Sequence, residues 1–180
     1  MDKKYDLGII VGRFQVLHKG HAQVIEEGIN SCKEFAIFVG SSQEGGTAKN
    51  PFDYEERKEM IQLAFPTAQI YPLPDIGVGN NCGWGDYVLA KVKEQFGRLP
   101  DVIFSGEEQR RLSWVDKSWG ITEIFVPKSI DISATRMEEF ILKGDKASFE
   151  EYIVPALNGQ FDRFKAKIEL TKDITRTDSI

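Results

Sequence analysis

The sequence predicts an α/β fold in which helices cover both faces of a parallel five-stranded sheet. Short apolar runs rich in Ile, Val and Phe alternate with helical segments, and several of these runs end at glycine or serine. Repeated β-then-α units imply parallel strands joined by right-handed crossovers. A length of 180 residues fits one domain with a single core. We therefore assign residues 1–170 to that domain and residues 171–180 to a polar C-terminal tail.

The individual elements follow from local patterns. Buried strands are predicted over 7–11, 35–39, 70–73, 102–104 and 124–126. Apolar residues at helical spacing predict helices over 21–32, 54–64, 84–96, 133–143, 149–157 and 161–168, and Asp53 is the expected N-cap of the second helix. A long loop rich in glycine and asparagine is predicted over 74–85. Ligands of such sheets bind at the carboxyl ends of the strands, so the loops there are expected to form one site.

Composition and charge argue against several classes of partner. The formal net charge is −5, whereas a protein that binds duplex nucleic acid is usually basic. The apolar run near the N-terminus is too short for a membrane span or a signal peptide. The cysteines, Cys32 and Cys82, match no metal-binding spacing, and we expect reduced thiols in a cytoplasmic protein.

The strongest functional signal is the segment from Gly12 to His21, which contains both histidines of the chain. It lies where the first strand should pass into the first helix, and free N–H groups and the helix dipole favour anions there. Gly12 lets a ligand approach the backbone closely, and Gly20 lets the chain turn between the two imidazoles. The alternative is two unrelated histidines, one on the surface and one half-buried. In the functional interpretation, a polyphosphate is surrounded by Arg13, His18, Lys19 and His21.

These residues carry a family resemblance. The segment resembles the H-x-G-H signature of the nucleotidyltransferase superfamily, and its Gly-Arg-Phe-Gln opening is similar to that of archaeal-type nicotinamide mononucleotide adenylyltransferases. In some bacteria that family is fused to a Nudix domain. The similarity continues, in the family's order, through 40–42, 49–52, 56–57, 75–76 with Trp84, 104–106 and 132–135. The resemblance implies a Rossmann-like fold of the nucleotidyltransferase type and a homo-oligomer.

The resemblance also implies the reaction. The 5′-phosphate of nicotinamide mononucleotide (NMN) attacks the α-phosphorus of ATP, which gives NAD and pyrophosphate without a covalent enzyme intermediate. Mg²⁺ is expected to bind with ATP, bridging triphosphate oxygens, and no residue is assigned as a metal ligand. The implied catalytic residues are His18, His21 and Arg136. The implied ATP-binding residues are Gly12, Arg13, Phe14, Gln15, His18, Gly20, His21, Ser105, Gly106, Ile132, Ser133, Thr135 and Arg136.

A second group of residues is predicted to bind the mononucleotide. Trp84 offers a π-face to the electron-poor pyridinium ring, and the alternative is a tryptophan packed in the core. Lys49 is a candidate for phosphate contact, and its alternative is a solvated loop lysine. Ser133 and Thr135 have helix capping as their alternative role. The predicted mononucleotide-binding residues are Lys49, Asn50, Asn81 and Trp84.

Two positions depart from the family pattern. Glu107 follows Ser-Gly where the family has Asn, and Glu138 stands where it has Arg. Arg136 is our candidate substitute, although it leaves another face of the helix. Two alternatives therefore stay open. One is another H-x-G-H enzyme, a pantetheine-phosphate adenylyltransferase or a cytidylyltransferase, and the other is a non-catalytic nucleotide-binding domain of the same fold.

Overall fold

A single parallel sheet organises the chain. The computed structural model describes residues 3–78, 82–106, 114–127 and 129–177, with side chains as far as residue 172. The strands are β1 (Tyr5–Gly12), β2 (Cys32–Gly40), β3 (Gln69–Leu73), β4 (Val102–Ser105) and β5 (Thr122–Phe125). They pair in parallel in the order β3-β2-β1-β4-β5, which confirms the predicted five-stranded sheet.

Helices cover both faces of this sheet, as predicted. They are α1 (Lys19–Ser31), α2 (Tyr54–Ala64), α3 (Cys82–Phe96), α4 (Ala134–Lys143), α5 (Lys146–Tyr152) and α6 (Phe161–Thr177). Side chains of β1 point alternately to the two faces, as the pleat requires: Ile10 joins the core beneath α1, α2 and α4 to α6, while Leu7 and Ile9 join the core beneath α3. No helix in the part of the chain that the structure describes is both long and apolar enough to cross a membrane.

Near the C-terminus, one predicted helix is wrong and another is too short. The helix predicted over 149–157 is α5 followed by a separate 3₁₀ turn, Pro155–Leu157. Helix α5 begins earlier than predicted because Asp145 caps it. It ends earlier because Pro155 holds Val154, the residue before it, in an extended conformation. Helix α6 continues through Thr177, into the segment predicted as a tail. Thr171, beyond the predicted end of this helix, is buried and its hydroxyl donates to the Ile168 carbonyl.

The strand order places a crevice at the edge where the strands end. From β1 the chain moves to β2 and β3 on one side, then returns to β4 and β5 on the other. The loops after β1 and β4 therefore lead away from each other, and ligands of open α/β sheets bind at such a switch point. The segment from Gly12 to His21 lies at this edge, because it connects the end of β1 to the start of α1.

Candidate active site

The structure brings the two histidines into direct contact. His18 is the N-cap of α1, and its Nδ1 accepts a hydrogen bond from the His21 backbone N–H at 3.3 Å. The two imidazoles are stacked, with ring centroids 3.8 Å apart and an interplanar angle of 15°. An accepting Nδ1 places the proton of a neutral His18 on Nε2. Gly20 permits this close packing, because a Cβ atom at this position would lie 3.1 Å from the His18 ring, a tighter contact than most.

Phe14 supports the histidines from inside the protein. Its φ of +53° turns the side chain inward, where it is 2% exposed and meets the His21 ring edge-on at 5.1 Å. The ring also fills the space beside Gly12, since a Cβ atom there would lie 2.9 Å from it. The structure therefore uses Phe14 and Gly12, both predicted to contact ATP, to pack the loop beneath the histidines.

The C-terminal part of the chain holds the same segment from outside. His18 forms an antiparallel backbone bridge with Ile153, just after α5. The Lys19 ammonium donates to the Glu151 carbonyl at 2.5 Å. Its charge is therefore turned towards the end of α5 in this structure, and the polyphosphate contact of Lys19 stays a prediction.

Helix α4 begins beside the histidine segment, as the predicted site requires. The Cγ2 atom of the buried Ile132 lies 3.2 Å from the position a Cβ of Gly20 would take. Ser133 is the N-cap of α4, and its hydroxyl accepts from the Arg136 N–H at 3.3 Å. The capping role of Ser133 is thus present, while Thr135 is exposed. The start of α4 offers backbone N–H groups and hydroxyls to this edge of the sheet.

The charges on α4 are paired within the protein. The Arg136 Nη1 donates to the Asp131 carbonyl at 2.7 Å and to its carboxylate at 3.0 Å. Glu138, which stands where the family has Arg, forms a 2.8 Å ion pair with Lys172 of α6. The negative charge at 138 is therefore neutralised by a lysine 34 positions later in the sequence. The Arg136 guanidinium, with 43% of the side chain exposed, is held at the start of the helix.

The end of β4 completes this edge. Ser105 and Gly106 are half-buried, and the Ser105 carbonyl accepts from the Val126 N–H at 2.8 Å. A Cβ atom at Gly106 would lie 3.0 Å from the Val24 side chain, so α1 passes close to this turn. Both predicted residues thus lie beside α1, on the strand next to β1.

The loop after β2, which was predicted to hold the mononucleotide, is tied to the loop after β1. The Gln15 amide donates to the Phe52 carbonyl at 2.9 Å and accepts from the Phe52 N–H at 3.0 Å. The fully buried Asn50 donates to the Glu44 carboxylate, and its carbonyl oxygen lies 3.4 Å from the Gln15 nitrogen. The amides of Gln15 and Asn50 are thus used inside the protein, whereas Lys49 is exposed.

Arg57 of α2, which the sequence placed in a family-like segment without a role, is the most buried charged side chain among the described residues. It is 0% exposed, and burial lowers the pKa of its guanidinium while the Asp53 charge opposes that shift. The signal was its helical spacing from the buried Met60 and Ile61, which places an arginine on the core face of α2. Its hydrogen bonds run to the backbone carbonyls of Arg13 (2.9 Å), Gly40 (2.7 Å), Ser41 (3.0 Å), Glu44 (3.4 Å) and Asp53 (3.1 Å).

Trp84 lies in the first turns of α3, so the predicted loop is shorter than expected. It is 9% exposed, contacts Tyr87 at 5.5 Å between ring centroids, and belongs to the core beneath α3. The residues flanking the histidines belong to the opposite core. This packing fits the core alternative for Trp84. Asn81 and Glu107 lie outside the described residues.

Comparison with known proteins identifies the family. A family model described as cytidylyltransferase-like matches residues 9–117. The nicotinamide-nucleotide adenylyltransferase of Thermococcus kodakarensis is 31% identical over 172 residues, covering 92% of this chain and 86% of that protein. The chain belongs to the cytidylyltransferase-like family. The resemblance to archaeal-type NMN adenylyltransferases is confirmed.

Two further comparisons of this cytidylyltransferase-like chain concern a shorter sequence match and a shared fold. The nicotinamide-nucleotide adenylyltransferase of Saccharolobus solfataricus is 40% identical over 106 residues, 53% of this chain and 60% of that protein. A bifunctional NMN adenylyltransferase/ADP ribose pyrophosphatase from Francisella tularensis has the same fold, with a TM-score of 0.76 and 21% identity over 97% of this chain. The match covers 54% of the Francisella protein, so this chain spans about half its length.

A cavity of about 520 Å³ lies beside the site of this cytidylyltransferase-like protein. Residues of α1, of the end of α2 and of the Pro155 turn line it, and Lys19 is the residue that it shares with the histidine segment. Neither histidine lines it. We therefore keep the candidate active site at the crevice formed by the loop after β1, the end of β4 and the start of α4.

Proposed function

We infer that this protein transfers the AMP moiety of ATP to nicotinamide mononucleotide and so forms NAD and pyrophosphate. The observation that carries this inference is the stacked pair of His18 and His21 at the start of α1, in a chain whose curated relatives are nicotinamide-nucleotide adenylyltransferases. Donors at a helix start suit the phosphate groups of ATP. The tight coupling of the two histidines distinguishes this edge from a general anion site.

In the proposed reaction, a 5′-phosphate oxygen of the mononucleotide forms a bond to the α-phosphorus of ATP. The bond from that phosphorus to the bridging oxygen breaks, and pyrophosphate leaves with the electron pair. The work of the protein is then to position the reactants and to stabilise charge. We propose that His18 and His21 donate hydrogen bonds to phosphate oxygens as negative charge develops, and that Arg136 binds the leaving pyrophosphate.

We propose Mg²⁺ as the divalent ion, bound together with ATP. Among the described residues, no group of three or more His, Cys, Asp or Glu side chains is arranged to hold a metal. We propose that the ion is held mainly by phosphate oxygens, where it would neutralise part of their charge. A Francisella tularensis structure with the same fold is described as complexed with AMP and a manganese ion.

The mononucleotide is proposed to bind near the loop after β2. The exposed Lys49 remains the candidate cation for the mononucleotide phosphate, and Asn81 the candidate partner of the carboxamide. Asn50 supports this loop from within, because its amide is bound to Glu44. A homo-oligomeric state, a cytoplasmic location and the absence of nucleic-acid partners also remain predictions.

The test is an assay of purified protein with ATP, MgCl₂ and NMN, in which NAD and pyrophosphate are measured together. We expect equimolar NAD and pyrophosphate. Nicotinic acid mononucleotide and phosphopantetheine are tested as alternative acceptors in place of NMN, and CTP as an alternative donor in place of ATP. His18→Ala and His21→Ala are each expected to lower kcat about a hundredfold, as for the loss of a contact that stabilises the transition state.

A matched control is Lys91→Ala, which removes an exposed cation of α3 that pairs with Glu94. This change should leave kcat unaltered. Turnover of phosphopantetheine in place of NMN, or of CTP in place of ATP, would favour the other H-x-G-H enzymes. Binding of ATP without turnover of any acceptor would favour the non-catalytic nucleotide-binding domain and contradict the proposal.

A further inference from the structure

All the hydrogen bonds that the structure gives to the Arg57 side chain run to backbone carbonyls. A guanidinium has five N–H groups, and here each has a carbonyl partner. The Nε atom donates to Asp53, Nη1 to Arg13 and Gly40, and Nη2 to Ser41 and Glu44. Because the side chain is 0% exposed, these carbonyls have taken the place of water. Arg57 is thus a cross-link between backbone segments.

The cross-linked segments are the loop after β1, which belongs to the candidate site, and the loop after β2, which carries the predicted mononucleotide residues Lys49 and Asn50. The Arg13 carbonyl belongs to the loop after β1, which leads to His18 and His21. The Gly40, Ser41 and Glu44 carbonyls belong to the end of β2 and the loop that carries Lys49. We call residues 13–15 and 40–53 the paired loops. The guanidinium is the point at which both of them meet α2.

Backbone strain lies beside this cross-link. In the described residues, Phe14 and Ser41 are the non-glycine residues with positive φ, at +53° and +49°. Phe14 follows the Arg13 carbonyl directly, and Arg57 binds the Ser41 carbonyl itself. Side chains other than glycine adopt this conformation at a cost, so the surrounding contacts must hold it in place. The second contact between the paired loops, from Gln15 to Phe52, is consistent with this arrangement.

We propose that Arg57 is a positioning residue for adenylyl transfer, which fixes the loop of the histidines relative to the loop of the mononucleotide. This proposal rests on the proposed function of the site. Arg57 touches neither reactant. It sets the distance between two bound substrates, and a misplacement of about 1 Å at such a site can cost a hundredfold in rate. The effect should therefore appear in kcat more than in either KM.

Arg57→Lys is the first test, because it keeps the charge. An ammonium has three N–H groups at one point and cannot reach five carbonyls arranged around a planar fork. We expect kcat to fall by about a hundredfold, with the KM values for ATP and NMN changed less than about threefold. Arg163→Lys is the matched control. Arg163 of α6 makes a two-point contact with the exposed Glu59, which lies on α2 as Arg57 does. This control should keep kcat within about twofold.

Backbone hydrogen exchange, read by mass spectrometry, tests the cross-link without any assay of activity. In Arg57→Lys, exchange should rise in the paired loops, where Glu44 N–H donates to Ser41 at 3.1 Å and Gly46 N–H to Pro51 at 3.3 Å. Exchange in β4 should stay as in the wild type. If the wild-type protein shows no adenylyl transfer, the proposed function fails, and this measurement still decides whether Arg57 holds the loops.

Chemical rescue supplies a readout that general stability would not move. In Arg57→Ala, millimolar guanidinium ion should restore part of kcat, while the same concentration of ammonium should not. Three results would each overturn the proposal: wild-type kcat in Arg57→Lys, a rise in exchange spread evenly over the sheet, or unfolding of both variants. The last two would mean that Arg57 supports the whole core and not the paired loops.

Discussion

Three buried polar side chains fix the local geometry of the candidate site through hydrogen bonds inside the protein. His18, Asn50 and Arg57 are at most 2% exposed, and each has a hydrogen-bond partner inside the protein. A buried polar group without a partner is costly, so each of these residues specifies one local arrangement. Their partners lie on the backbone or on neighbouring loops. The geometry around the histidines therefore depends on residues that touch neither ring.

The two charged positions on α4 should respond differently to substitution. Arg136→Lys replaces a guanidinium held at two points of Asp131 by a single ammonium, and we expect kcat/KM for ATP to fall about tenfold or more. Glu138→Gln removes a half-buried ion pair with Lys172, and pairs that remain in contact with solvent contribute little, so kcat/KM should change less than about twofold. Steady-state kinetics of both variants check this. The reverse ranking would remove Arg136 from the phosphate site.

Trp84 separates a binding role from a packing role. If it stacks on the nicotinamide ring, Trp84→Phe should keep the KM for NMN nearly unchanged, because an aromatic face remains, while Trp84→Leu raises it several-fold. The KM for ATP is the internal control. Since Trp84 is 9% exposed, both variants also need a thermal melt. A lower Tm in Trp84→Leu with an unchanged KM for NMN would assign this residue to the core alone.

Spacing along the sequence identified the histidines but not their supports. Two histidines three positions apart at a strand-to-helix junction are a local pattern, and the structure brings the rings together. The Gln15 amide, in contrast, pairs with Phe52, 37 positions later. Such contacts depend on how two loops meet in space. Gln15 and Asn50 were therefore predicted to bind ligands, whereas the structure shows their amides engaged with the protein.

At the scale of elements, caps account for helix ends better than apolar periodicity does. Asp53 caps α2 in a full capping box with Glu56, as its position suggested. Asp145 begins α5 with a single cap, in which its carboxylate accepts from the Ser148 N–H, but it stands before an unremarkable apolar pattern. Periodicity alone placed the α5 boundary wrongly at both ends and ended α6 too early. Tertiary contacts, such as the pair of Lys172 and Glu138, lie beyond what a single helix encodes.

The capping box of α2 gives a stability prediction. Asp53→Ala removes the side-chain acceptor of the Glu56 N–H and should lower the free energy of unfolding by about 1 kcal/mol. Glu55→Ala is the matched control, because it removes an exposed carboxylate from the same turn without a capping bond. Urea unfolding of the two variants gives the comparison. Equal losses would mean that charge near the helix N-terminus, and not the cap, stabilises α2.

At the scale of the molecule, the alternation of strands and helices predicted the layers but not the strand order. Both faces of β1 are buried, which agrees with its central position in the sheet. The local sequence does not indicate, however, that the chain returns to place β4 beside β1. The switch point between β1 and β4 follows from that return. Local patterns could indicate a site at the strand ends, whereas its exact neighbours required the structure.

The central sheet also predicts the chemistry of the thiols. Burial raises the pKa of Cys32 to about 11, while Cys82 is exposed. At pH 8, iodoacetamide should label one thiol per native chain and a second one only after unfolding. Since an unfolded cysteine ionises near about pH 8.5, the stabilisation from a neutral Cys32 is complete below that pH and is lost as the pH rises towards 11.

The control for this prediction is Cys32→Ala, in which the alkaline loss of stability should be smaller, as measured by urea unfolding between pH 8 and 10.5. Cys82→Ala should retain the wild-type dependence. Rapid labelling of both thiols in the native protein would contradict the burial of Cys32. The comparison needs both variants, because tyrosine and lysine residues titrate in the same range.

The bridge from His18 to Ile153 has a consequence for folding of this protein during translation. The histidine segment is among the first parts to be synthesised, yet the backbone that braces it is 135 positions later. Until Ile153 has been synthesised, the loop after β1 lacks its backbone bridge to the residue that follows α5. A nascent chain shorter than this therefore carries His18 and His21 in a loop that lacks the bridge to Ile153. The complete set of contacts around this segment can form only after synthesis has passed Ile153, because Lys19 also binds the Glu151 carbonyl.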